Sequence, residues 1–67
     1  MLLPKIGETI IVEFEGERAP CYVQAVGLYE EPEAFEYIEV LVNPGEGDRE
    51  FYAELYLEDM GRSWSIV

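Results

Sequence analysis

The stretch "EFYAELYLE", residues 50–58, repeats with a period of two. Successive side chains of an extended chain leave opposite faces. Glu50, Tyr52, Glu54, Tyr56 and Glu58 therefore share one face, and Phe51, Ala53, Leu55 and Leu57 the other. No segment sustains a 3.6-residue repeat, which leaves strands as the building elements. Glycine and proline cut the chain into short pieces. "GETIIVEFEGE" sets Ile10, Val12 and Phe14 against Thr9, Ile11, Glu13 and Glu15, and Gly16 marks the turn that follows. "PCYVQAVGLY" sets Cys21, Val23 and Ala25 against Tyr22, Gln24 and Val26. Both of its faces are partly apolar, which predicts a bulged or bent strand, with Gly27 as the place to bend. "EEPEAF" reads as an acidic loop around Pro32, "FEYIEVLV" as a third strand and "REFYAELYLE" as a fourth. "DMGR" then forms a tight or 3₁₀ turn, and "SWSIV" a short closing strand.

Sixty-seven residues hold one domain, residues 1–67, with room for a single core. The expected fold is all-β, a small five-stranded barrel, closed or nearly so because closure leaves little strand edge to pair wrongly. Alternation puts Ile10, Val12, Phe14, Val23, Ile38, Val40, Phe51, Leu55 and Leu57 in its core. Cys21 is the only cysteine, so no internal disulfide can staple the fold, and a small core residue is its expected role. Trp64 is expected to plug one end of the barrel.

The opening third, "KIGETIIVEFEGERAPCYVQAV" at residues 5–26, resembles the start of SH3-like barrels of the Tudor kind. There a Gly–acid pair opens a strand, a Gly-centred turn follows, and small residues alternate with valine. The resemblance implies the same barrel and, for Tudor domains, an aromatic cage for methylated lysine or arginine. One cage aromatic usually sits in the first hairpin. This chain departs from that pattern, with "GERAP" and no aromatic residue between Gly16 and Tyr22.

Fifteen acids against four bases, with no histidine, give a formal net charge of −11. Nucleic acids and anionic membranes would repel such a surface, and a basic protein surface complements it. The charge also exceeds the magnitude of about 2–8 that suffices for solubility in a small domain. The start "MLLPK" has neither a basic n-region nor an apolar h-region, so a cytosolic location is expected, and no apolar run suits a membrane span.

Glutamate and tyrosine together suit a basic partner, because carboxylates pair with Lys and Arg while tyrosine rings stack on guanidinium groups. The six residues "NPGEGD" suggest a hairpin with Val42 opposite Arg49. That register sets Glu39 opposite Tyr52 and Tyr37 opposite Glu54, a checkerboard in which like charges never face each other. The expected partner-binding residues are Tyr37, Glu39, Glu50, Tyr52, Glu54, Tyr56 and Glu58.

Catalysis is not expected. Cysteine or serine chemistry wants a base and histidine is absent, while fifteen acids make paired carboxylates uninformative. One cysteine without histidine argues against zinc, and Glu46 and Asp48 lack the spacing of a calcium loop, so no metal or cofactor is expected. The leading expectation is a small inhibitor or adaptor that docks its acidic face on a basic, nucleic-acid-binding protein. In size, acidity and strand pattern it resembles phage-encoded nucleic-acid mimics such as anti-CRISPR proteins. Two alternatives stand beside it. One is a Tudor- or SH3-like module that holds a basic peptide through Tyr22, Tyr29, Phe35, Tyr52 or Trp64; the other is a structural subunit of a phage or other assembly. A dimer through the third and fourth strands would bring like charges together, which favours a monomer.

Overall fold

The computed structural model describes residues 4–28 and 35–67. The acidic loop around Pro32, with Tyr29, lies outside the described residues, as does the side chain of Phe35. Five antiparallel strands form one sheet in the order β4-β3-β2-β1-β5: β1 Thr9–Phe14, β2 Glu17–Leu28, β3 Phe35–Val42, β4 Phe51–Tyr56 and β5 Trp64–Ile66. The all-β expectation holds. Among the described residues there is no α-helix, and two 3₁₀ turns, Gly47–Arg49 and Leu57–Asp59, flank β4. No helix of the described residues is long and apolar enough to cross a membrane.

Local sequence explains the connections. Phe14 pairs with Glu17, so Glu15 and Gly16 alone turn the first hairpin, and both have positive φ (48° and 85°). Two successive left-handed residues make the type I′ turn whose twist matches the flanking strands. Strand β2 is long enough to serve two neighbours. Its first part pairs with β1 through Tyr22, and its second pairs with β3 from Cys21 onward. The register breaks between Val23 and Ala25 and again between Gly27 and Leu28. Gln24 is the extra residue of the first break, and it changes which face the strand turns inward. Cys21 and Val23 point to the core before it, Val26 after it. This bulge is why both faces of β2 carry apolar residues.

The core consists of Val12, Cys21, Val23, Ile38, Val40, Val42, Leu55 and Trp64, with Ile10, Phe14 and Leu57 packed half-buried against it. Phe51 does not belong to it. Its alternation places it on the inner face, yet it is 54% exposed. The sheet curls into a half-barrel instead of closing, so β4 is an edge strand and no described strand lies across Phe51. The Trp64 side chain of β5 reaches the end of β4. Trp64 Nε1 donates to the Tyr56 carbonyl at 2.8 Å, and the ring is 4% exposed. Burial also pushes the Cys21 thiol up to about 11 from its usual value near 9.0.

Candidate functional site

The β3–β4 register differs from the sequence expectation by two positions. Val42 faces Phe51, not Arg49. The Gly47–Arg49 3₁₀ turn lengthens the connection, and Glu50 Oε2 accepts from the Gly45 amide at 2.5 Å to brace it. An even shift preserves which residues face outward but changes every cross-strand partner. The checkerboard is therefore replaced by like facing like. Glu39 stands opposite Glu54, Tyr37 opposite Tyr56 and Leu41 opposite Tyr52.

The seven expected site residues divide accordingly. Glu39, Glu54 and Tyr52 lie together on the outer face, with Tyr52 64% exposed. Tyr22 and Leu41 join them, because Tyr22 pairs with Leu41 across β2 and β3 and Leu41 pairs with Tyr52. Sequence reasoning placed Tyr22 outward but had no register to bring it beside Tyr52. Tyr37 has a packing role. Its ring lies over Gly27, where a Cβ would come within 2.2 Å of Cε1, and its centroid is 5.7 Å from that of Tyr56. The Tyr56 hydroxyl donates to Glu54 Oε1 at 3.4 Å. Glu50 and Glu58 fall outside the strand, Glu50 in the loop and Glu58 in the 3₁₀ turn, so the even spacing of three carboxylates along β4 does not form.

Backbone direction sharpens the Glu39–Glu54 pair. The amide of Asn43 donates to the Pro20 carbonyl, which fixes the alternation of β3 against β2, and the Tyr56 carbonyl points away from β3 to Trp64. Both observations place Tyr52, Glu54 and Tyr56 in the positions whose peptide groups turn away from β3. Such pairs have the closer side chains of the two antiparallel kinds. Neither carboxylate has a salt bridge among the described residues, whose ion pairs are Arg18–Glu13 at 3.3 Å and Arg49–Glu46 at 3.8 Å.

A second feature lies on the concave side. An open cleft of about 870 Å³ runs between the first hairpin and β4. Phe14, Ala19, Val42, Phe51, Leu55 and Trp64 supply its apolar surface, and Glu15, Glu17, Glu54 and Asp59 stand on its rim with the two paired arginines. No group of three or more metal-ligating side chains gathers among the described residues. Trp64 is too deeply buried to present its ring to a peptide, so among the described residues the aromatics open to a ligand are Tyr22, Phe51, Tyr52 and Tyr56. Comparison with family models, with curated proteins and with solved structures finds no match.

Proposed function

We propose that this chain is an acidic binding protein that docks the outer face of β3 and β4 on a basic, nucleic-acid-binding protein and so inhibits or adapts it. The observation that carries this reading is the Glu39–Glu54 pair. Like charges directly opposite across strands destabilise a sheet, and folding alone gives no reason to place them there. A lysine or arginine from a partner relieves that repulsion, so the face gains from binding what it loses in isolation. Tyr52, Tyr22 and Leu41 beside the pair offer apolar and aromatic area for the stem of such a side chain. The net charge of −11 adds long-range attraction to any basic surface. On this reading the protein acts by occupying the groove that nucleic acid needs, as an anti-CRISPR or other phage-encoded antagonist would, and it is not an enzyme.

The second reading, an SH3-like module for a basic peptide, draws support from topology. A four-stranded meander with a long, shared β2, followed by a 3₁₀ turn and a β5 that returns to β1, is compatible with an SH3-like barrel.

The test begins with capture of a partner from lysate, followed by affinity measurements on the purified pair. Reversing Glu39→Lys together with Glu54→Lys should weaken binding at least about tenfold, since close charge pairs across interfaces couple by about 1.5–7 kcal/mol. The parent's association should also slow as salt rises. A folded double variant that binds as tightly as the parent overturns the reading. The isolated protein should give no gel shift with DNA or RNA at moderate salt, because its cations are only Lys5, Arg18, Arg49 and Arg62.

A further inference from the structure

We propose that β4 receives an extended, lysine- or arginine-rich protein segment as an added strand, with alternate apolar side chains of that segment entering the cleft beside Phe51. This deepens the basic-partner reading and rests on it.

Three observations converge on this edge. First, β4 ends the sheet, and the alternation fixed by Asn43 and Trp64 turns the peptide groups of Tyr52 and Glu54 outward from it. Outside the β3–β4 pairing, neither residue's backbone has a hydrogen bond among the described residues. An edge of this kind is a template for another strand. Second, the cleft reaches the edge from the inside, since both inward residues of β4 (Phe51, Leu55) and outward ones (Glu54, Tyr56) line it. Phe51 is a large apolar side chain on an inner face, and it is 54% exposed. Third, the charge around the slot is one-sided. Arg18 and Arg49 are each held by a glutamate, while Glu15, Glu17, Glu54 and Asp59 make no salt bridge among the described residues.

An added strand has its own period of two. Its inward residues would meet Phe51 and Leu55, and its outward residues would extend the row of Tyr52, Glu54 and Tyr56. The complementary segment therefore alternates apolar and basic residues. A second copy of this chain is a poor occupant, because two β4 edges would bring Glu54 and its acidic neighbours together on two bodies that each carry −11.

The probe is an acetylated, amidated peptide, Lys-Val-Lys-Leu-Lys-Val-Lys. A Glu-for-Lys version and a version with its four lysines grouped before Val-Leu-Val serve as controls. Two readouts are taken on the parent protein. One is emission from Trp64, the only tryptophan, whose Nε1 is bonded to β4. The other is amide exchange at Tyr52 and Glu54. The alternating peptide should shift the emission and slow exchange at those two amides at least about tenfold, and both controls should do neither. Glu54→Pro removes an outward amide without breaking the β3–β4 ladder, so it should abolish peptide protection at Tyr52. Glu54→Gln keeps the amide and should retain it. Salt-sensitive binding that leaves both amides unprotected, or no binding at millimolar peptide, overturns the added-strand proposal. The docking reading of the outer face is judged separately by its own reversal of Glu39 and Glu54.

Discussion

Glu39 and Glu54 face each other across β3 and β4 with no salt bridge to either among the described residues. The isolated fold carries that repulsion as a standing cost. Glu39→Lys should turn the pair attractive and stabilise the domain by about 0.2–1 kcal/mol relative to a neutral replacement. Thermal melts at low and high salt check this: the parent should gain from added salt at this pair and the variant should not.

Tyr37 and Gly27 form a coupled unit. A Cβ at Gly27 would strike the Tyr37 ring, and Tyr56 stands on the ring's other flank. Gly27→Ala should therefore destabilise by about 1–3 kcal/mol, the usual range for overpacking. Combining it with Tyr37→Ala should remove most of that cost, so the two changes will not add. Additive denaturation midpoints would show that the ring does not rest on the glycine.

Phe51 and Leu55 point the same way along β4 but differ in cover. Leu55 is buried, and Leu55→Ala should cost about 2–5 kcal/mol, enough to unfold much of so small a domain. Phe51→Ala should cost under about 1 kcal/mol, because half of the ring already meets water. Equilibrium unfolding of the two variants separates them, and equal losses would mean that Phe51 is covered in solution.

Cys21 gives a pH signature. Its thiol rises from 9.0 to about 11 on burial, so the folded state holds its proton where the unfolded chain has lost it. The unfolded state then binds fewer protons, and stability falls as pH rises above 9 until about 11, where the contribution is gone. Below pH 9 this contribution is fully present. Denaturant titrations of the parent and Cys21→Ala between pH 8 and about 11 should converge toward the alkaline end. A thiol reagent should label the parent only as fast as it opens.

The sequence made the strand faces of β1, β3 and β4 legible, because alternation fixes parity and Ile10, Val12, Ile38, Val40 and Leu55 obey it. It left two things open. Register was ambiguous because a shift of two positions keeps every apolar residue inward; only the 3₁₀ turn at Gly47–Arg49 decides that Glu39 meets Glu54 and not Tyr52. Burial at the edge was the other. Parity assigns Phe51 to the inner face, but whether another strand lies over that face depends on how far the sheet curls. The outer site was thus half visible, as Glu39, Tyr52 and Glu54 without Tyr22 and Leu41. The cleft, which needs the β1–β2 hairpin brought near β4, could not be seen in the chain at all.

The sheet order also sets a sequence of events in synthesis. Strands β1 through β4 each pair with the next along the chain, so three hairpins can form as they emerge. Strand β5 returns to β1, with Val12 meeting Ile66 and the Val67 amide donating to the Ile11 carbonyl. Until that return, β1 has one neighbour, Trp64 is absent from the core and the Tyr56 carbonyl lacks its donor. A nascent chain that stops before Trp64 should therefore display loose hairpins that proteases cut, and the last few residues should convert them at one stroke into a resistant fold.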